Sequence, residues 1–389
     1  MRVALAGVGK MGGAIAERLR AAGHALSLYD VAPPVGVTSA PSLAAAARGA
    51  EVALLCLPDA AAVEASVAGL LESRPAVCVD LTSSIPAVTR RVGDALQAGG
   101  VAFMDCPLSG GVQGAREGRL TAMAGGDPEL LERVRPLLGA FATNVLWAGS
   151  LGAGHAVKAA NNSLSAVSMV ATSEMLVLAV ACGMAEQEVV ERFNAGPARS
   201  QNSEVKFPRD VLSRTYGAGF TAGLMEKDFA TGIAMAQDLS VPVPFMAAAL
   251  RVWRYAAAEV GPGADFTRVH SVVASRGSGA GERGPEEREE FSIEVLERAL
   301  ASVNLIAARE MLRVLDAEGV DRERALTIIN ASTGRSEATR AGADGEVDEA
   351  AIRLATELGG HMGVWTPLTT LAAGGVRSGR TRPSPAPAD

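Results

Sequence analysis

Along the first part of the chain, short apolar runs alternate with stretches of helical periodicity. Residues 2–6 are mainly apolar and lead into Gly7-Val8-Gly9-Lys10-Met11-Gly12; a helical pattern then runs through Ala14-Ile15-Ala16-Glu17-Arg18-Leu19 and stops at Gly23. A second run, Ala25–Tyr29, ends on Asp30, and Val52–Leu57, Ala76–Leu81, Val101–Asp105, Leu120–Ala124 and Asn144–Trp147 continue the series. Runs this short and this apolar suit strands covered on both faces, as in a parallel sheet with helical crossovers. The expected fold class is an α/β, doubly wound, mostly parallel sheet over residues 1–155.

Beyond that point the pattern changes to helix. Ala156–Leu178 is a long apolar stretch without Pro or Gly, read as one helix buried on several sides. Helical segments broken by Pro197, Pro208, Pro242, Pro244 and Gly261-Pro262 extend an all-α region over 156–275. Arg276–Pro285 has the composition of a linker, helical patterning resumes over 286–375, and 376–389 reads as a disordered tail.

The chain has 389 residues, 48% hydrophobic and 20% charged, enough for two or three domains with sizeable cores. A net charge of −7 argues against nucleic acid as a partner. No apolar run is expected to span a bilayer, and the strand-like start leaves no room for a signal peptide, so no membrane partner is expected. Cys56, Cys78, Cys106 and Cys182 lie far apart without CxxC spacing, which predicts buried thiols in a reducing, cytoplasmic setting and no metal. Of 36 basic residues only Lys10, Lys158, Lys206 and Lys227 are lysine, leaving 36 − 4 = 32 arginines. A lysine inside a motif is therefore informative.

The first apolar run, the glycine turn and the helix after it form the context that gives GxGxxG its meaning. Gly7 permits the tight turn, Gly9 the approach of a pyrophosphate, and Gly12 close helix–strand packing. The helix N-terminus offers free N–H groups to the phosphates. Asp30 ends the second strand, where a carboxylate accepts from ribose hydroxyls and repels a 2′-phosphate; NAD is expected in preference to NADP. The doubly wound domain is thus of Rossmann type.

Four segments carry a family resemblance over residues 1–275. They are Gly7–Gly12; Asp105-Cys106-Pro107-Leu108-Ser109-Gly110-Gly111-Val112-Gln113-Gly114-Ala115 with Gly118, Gly125 and Gly126; Gly152-Ala153-Gly154-His155-Ala156-Val157-Lys158-Ala159-Ala160-Asn161-Asn162; and Lys227-Asp228 after Phe220. In this order they resemble the β-hydroxyacid dehydrogenases, the family of 3-hydroxyisobutyrate dehydrogenase. The resemblance implies Lys158 as general acid/base with Asn162 orienting it and the substrate oxygen. It implies Ser109, Gly110 and Gly111 as the seat of a substrate carboxylate. Lys227 is implied to reach both cofactor and substrate, with Asp228 in a structural role.

Leu57-Pro58 matches the segment lining the cofactor, and Asp80-Leu81-Thr82-Ser83 matches a DxST motif with its hydroxyl residues exchanged, so that either Thr82 or Ser83, by position Ser83, meets the nicotinamide end. A lysine serving as acid/base near neutrality must have its pKa lowered from about 10.4, and apolar helix surroundings are expected to do this. Arg119 is read as a solvated surface residue and the four histidines as structural.

Family members of ordinary length finish near Ser275, leaving 389 − 275 = 114 residues. Residues 158–203 align without gaps to 294–339 with 12 identities in 46 positions, among them Glu174-Met175-Leu176 with Glu310-Met311-Leu312 and Arg199-Ser200 with Arg335-Ser336. Leu358–Pro367 loosely echoes Leu239–Pro244. The helical unit is therefore expected to be duplicated in tandem, as in the related 6-phosphogluconate dehydrogenases. The second copy has Glu294 for Lys158 and Arg298 for Asn162, and is expected to be inactive and to serve as a built-in partner.

The implied activity is NAD(P)-dependent interconversion of a small, anionic β-hydroxy acid and its semialdehyde or keto acid, by a homodimer. An imine or ketone reductase, or a non-catalytic NAD-binding scaffold, is the alternative; retention of the lysine counts against both.

Overall fold

The computed structural model describes residues 1–276 and 292–378; the predicted linker from 277 onward and the tail from 379 lie outside the described residues, while residues 376–378 end the last helix. Eight strands form one sheet: β1 (Arg2–Ala6), β2 (Ala25–Tyr29), β3 (Val52–Leu55), β4 (Val77–Asp80), β5 (Ala102–Asp105), β6 (Leu108–Ser109), β7 (Leu120–Gly125) and β8 (Ala142–Gly149). Their order is β2-β1-β3-β4-β5-β7-β6, with β8 beside β7. All pairings are parallel except those of β7 with β5 and β6. Six helices connect them: α1 (Lys10–Ala21), α2 (Leu43–Ala47), α3 (Ala60–Ser73), α4 (Pro86–Ala98), α5 (Gly111–Glu117) and α6 (Pro128–Leu138).

Alternation along the strands divides the core into two. Val3, Leu5, Val52, Leu54, Val77 and Val79 pack in one cluster, whereas Ala4, Ala6, Ala53, Leu55 and Cys78 pack in another. Successive side chains leave a strand on opposite faces, so a run apolar at every position needs a core on each side.

The helical part comprises α7 (Ala153–Ala181), α8 (Glu186–Ala195), a π helix (Asn202–Leu212), α9 (Ala222–Asp238), α10 (Pro244–Val260) and α11 (Val269–Arg276). It continues with α12 (Ile293–Ala317), α13 (Arg322–Asn330), α14 (Glu337–Arg340), α15 (Glu349–Met362) and α16 (Pro367–Ser378). Pro208, expected to break a helix, lies inside the π helix, whose wider turn relieves the clash of the ring with the preceding carbonyl. A second expectation is corrected by α7, which is long and apolar enough to cross a membrane by length and composition; 83% of its most apolar window is buried within the protein.

Two compact units divide these elements, and neither is continuous in sequence. One contains 1–163, 227–241 and 312–334; the other contains 164–226, 242–311 and 335 onward. Internal segments 227–241 and 312–334 thus belong to the sheet unit.

Within the second unit, residues equivalent in the repeat meet reciprocally. Gln201 N–H donates to the Arg335 carbonyl at 2.9 Å, and Glu337 N–H donates to the Arg199 carbonyl at 2.8 Å. Ser200 and Ser336 form the antiparallel bridge between them. Each pair is offset by the spacing that aligns 158 with 294, so the contact is self-complementary. A longer-range pair shows the same exchange. Glu174 accepts from the N–H groups of Leu368 (2.7 Å) and Thr369 (3.0 Å) at the start of α16, and Glu310 accepts from those of Phe245 (3.1 Å) and Met246 (2.9 Å) at the start of α10. Each copy's long helix supplies the carboxylate that satisfies orphan donors at a helix start of the other.

Candidate active site

The site is built within the sheet unit, beginning at the glycine turn. Gly7 has φ +87, and a Cβ there would lie 2.1 Å from the Cys56 carbonyl oxygen; one on Gly12 would lie 1.9 Å from the Gly7 carbonyl oxygen. Only hydrogen fits at either place. Gly9 is different: a Cβ there would meet nothing within 4 Å, and this residue precedes α1 without any side-chain cap. Open space therefore faces free helix N–H groups, and α1 has no acidic residue in its first turn. Exposed Lys10 and half-buried Met11 open the helix. A pyrophosphate fits this cradle by charge and by space.

Asp30 Oδ2 accepts from Val8 N–H at 2.7 Å, tying the end of β2 to the turn, while Oδ1 accepts from Ala32 N–H at 2.9 Å. A carboxylate oxygen accepts more than one bond, so Asp30 retains capacity for ribose hydroxyls. The Leu57-Pro58 segment follows β3. Leu57 N–H donates to Thr82 Oγ1 at 3.1 Å, and the Pro58 carbonyl accepts from Lys227 Nζ at 3.2 Å. Thr82 is buried and its hydroxyl is engaged inward, whereas Ser83 is half-buried and makes no hydrogen bond among the described residues.

Asp105, at the end of β5, sets the start of α7. Its Oδ1 accepts from Gly152 N–H and its Oδ2 from His155 N–H, both at 2.8 Å. The buried His155 ring makes close contacts with Thr89 Oγ1 and the Thr82 carbonyl oxygen, both at 2.7 Å, so this histidine is structural. These bonds fix the first turns of α7 against the sheet and with them Lys158.

Lys158 is 8% exposed, and its Nζ donates to Asn162 Oδ1 at 3.1 Å, the i, i+4 geometry of one helix face. Burial lowers its pKa to about 8, opposed by attraction to Asp228 and reinforced by repulsion from Lys227. Asn162 Nδ2 donates to Asp228 Oδ2 at 2.6 Å, and Lys227 Nζ lies 3.4 Å from Asp228 Oδ1. Asp228 thus accepts from the Asn162 amide nitrogen while the amide oxygen faces the lysine.

Ser109 ends β6, Gly111 begins α5 and Gly110 joins them, the glycines at φ +123 and +70. Ser109 is buried, and its Oγ stands 3.4 Å from Thr333 Oγ1. Thr333 Oγ1 in turn accepts from Asn161 Nδ2 at 2.9 Å, and Asn161 Nδ2 reaches Asn162 Oδ1 at 3.0 Å. Ser109, Thr333, Asn161, Asn162, Lys158, Asp228 and Lys227 thus form one connected group. The Gly7–Gly12 turn with Asp30 forms a separate cradle, and no direct bond joins the two among the described residues. Motif reading missed Thr333, which lies outside the matching segments. Arg119 pairs with Glu117 on the surface. Among the described residues no group of three or more His, Cys, Asp or Glu is arranged to hold a metal ion.

Two family models match the sequence. One, the NAD binding domain of 6-phosphogluconate dehydrogenase, covers residues 2–149; the other, the NAD-binding region of NADP-dependent 3-hydroxyisobutyrate dehydrogenase, covers 152–273. An NAD-dependent L-serine dehydrogenase of Pseudomonas aeruginosa is 35% identical over 271 residues, spanning 65% of this chain and 91% of that protein. The solved structure of Mycobacterium tuberculosis 3-hydroxyisobutyrate dehydrogenase with L-serine aligns at TM-score 0.66 and 28% identity, covering 70% of this chain and 98% of that one. Plasmodium falciparum 6-phosphogluconate dehydrogenase aligns over 99% of this chain and 94% of its own at TM-score 0.70; at 15% identity this shows a shared fold.

Proposed function

Since the chain belongs to the 3-hydroxyisobutyrate dehydrogenase family of NAD-dependent oxidoreductases, we propose that it interconverts a small β-hydroxy acid and its semialdehyde or keto acid, with Lys158 as general acid/base. NAD, with NADP as the lesser alternative, supplies the hydride acceptor when bound in the glycine-turn cradle. The chain's own residues do the rest. Ser109 Oγ and the N–H groups around Gly110 and Gly111 bind the carboxylate end of the substrate. Lys158 takes the hydroxyl proton in oxidation and returns it in reduction. Asn162, held by Asp228, orients both the lysine and the reacting oxygen. Lys227 adds positive charge beside the cofactor segment at Pro58.

The observation that carries this reading is the buried Lys158–Asn162–Asp228 chain, with the lysine lowered to about 8. A lysine near its midpoint at working pH both gives and takes a proton. The test is NADH formation with a panel of β-hydroxy acids, comparing the wild type with Lys158→Ala. Turnover by the wild type and a loss of about three powers of ten in the variant are expected; no turnover by the wild type on any acid, or an active variant, would refute it.

The same reading divides the chain into a nucleotide domain (1–155), a catalytic helical domain (156–275) and a degenerate copy (286–375) serving as a partner in cis. The reciprocal Glu174 and Glu310 contacts support this division. It also takes the enzyme as a cytoplasmic homodimer.

A further inference from the structure

The segment from Ala331 to Gly334 follows α13 in the second copy and is fastened into the sheet unit at both ends. Thr121 Oγ1 donates to the Ala331 carbonyl at 3.0 Å, and Gly334 N–H donates to Asn161 Oδ1 at 2.7 Å. A Cβ at position 334 would lie 2.6 Å from the Asn161 carbonyl oxygen, so the chain path there admits only glycine. Between these anchors Thr333 is half-buried, with its hydroxyl between Ser109 and Asn161. The first copy has Pro197 and Ala198 at the equivalent positions, and the family matches end at residue 273. The hydroxyl is therefore a feature of this chain's added segment.

We propose that Thr333 is a specificity-determining residue of the active site, selecting β-hydroxy acids that carry a polar group at C2. This rests on the function proposed above. A β-hydroxy acid has its carboxylate at C1 and its reacting hydroxyl at C3. Ser109 to Gly111 take the first end, and Lys158 with Asn162 take the second. Thr333 Oγ1 is bonded to the first neighbour of Asn162 on one side and stands beside Ser109 on the other, which sets it opposite the carbon between. A threonine hydroxyl has one donor and two acceptor places; Asn161 fills one acceptor place, and the 3.4 Å contact with Ser109 Oγ takes a second place, donor or acceptor, leaving one. The remaining capacity matches a C2 hydroxyl or amino group and leaves a C2 methyl facing an unmatched polar atom.

The experiment measures kcat/KM for wild type, Thr333→Val and Thr333→Ser with NAD on L-serine and D-glycerate, which are polar at C2, and on 3-hydroxyisobutyrate, which carries methyl there. The expected result is a wild-type preference for the polar substrates that falls about tenfold or more in Thr333→Val and is restored in Thr333→Ser. Thermal midpoints and NAD affinity of each variant are measured alongside. A polar-to-methyl ratio unchanged in Thr333→Val, or lost equally in Thr333→Ser, overturns the proposal. A fall of all three substrates in proportion, with a lowered midpoint, assigns Thr333 a purely structural role and overturns it as well. A wild type that turns over none of them defeats the functional reading itself, and this inference with it.

Discussion

The two helical copies align in sequence but carry opposite electrostatics at their starts. In the first, Lys158 and Asn162 are buried near the start of α7; in the second, their equivalents Glu294 and Arg298 stand exposed on α12. Glu294 pairs with Arg192 at 2.6 Å, and Arg298 lies 3.4 Å from Asp348 at the edge of a cavity of about 710 Å³. Hydrogen bonds from Ser292, from its own backbone N–H and from Arg192 lower the Glu294 carboxyl to about 2, whereas burial lowers Lys158 to about 8. A helix alone does not bury a lysine or lower its pKa. What the first copy has is Asp105 capping the start of α7 from a sheet strand, which draws the first turns inward and desolvates what they carry.

Five experiments break or sharpen this contrast, from the largest effect to the smallest. Asp228→Asn removes the charge that opposes the desolvation of Lys158 and loosens Asn162. We expect kcat to fall by about one to two powers of ten, with the Lys158 limb moving below its wild-type position. That position is itself a prediction. With Lys158 at about 8, kcat/KM for oxidation should rise with pH to a plateau through that value, because the neutral amine is the base. For reduction it should fall over the same range; a flat profile in both directions would separate the lysine from the proton transfer.

The reciprocal clasp comes next. Glu174→Ala and Glu310→Ala each leave buried helix-start donors without a partner, at a cost of about 1–3 kcal/mol, read from denaturant midpoints. At Glu174 the bond donated by Thr369 Oγ1 at 2.7 Å is lost as well. Burial raises the Glu174 carboxyl to about 7. A raised carboxyl contributes most below its ordinary range and loses that contribution as pH rises through its folded value. Glu174→Gln should therefore flatten the stability slope across that interval, and an unchanged slope would assign it to another group. The smallest effect is expected from the double substitution Glu294→Lys with Arg298→Asn. Restoring the residue types without the cap or the burial should leave kcat within about twofold of wild type; a large change would mean the second copy takes part in the chemistry.

How much of this was legible in the sequence depends on what kind of interaction a residue makes. Lys158 stands out as a candidate because lysine is rare here and sits in a motif, and the apolar helix around it accounts for its burial and lowered pKa. Gly7 and Gly12 were legible because close backbone approach leaves no other residue possible. The bond of Asp228 to Asn162 is not legible, since it spans 66 positions and no periodicity reports it. The Thr82–Ser83 exchange was ambiguous in one dimension; burial of Thr82 against Leu57 separates the two environments. Thr333 gave no signal at all. Its position beside Ser109 depends on a segment 224 residues away packing into the sheet unit, and only tertiary structure contains that fact.

The bridge between Ser200 and Ser336 has a consequence for how this molecule can change. Two identical subunits meeting on a two-fold axis carry every substitution twice, once on each side of the contact. Here the two sides are encoded separately, so Arg199-Ser200 and Arg335-Ser336 can keep the shared contact while their neighbours diverge. Pro197 and Thr333 are such neighbours. A position that symmetry would hold to a single residue has become two independent choices, one of them available to the substrate.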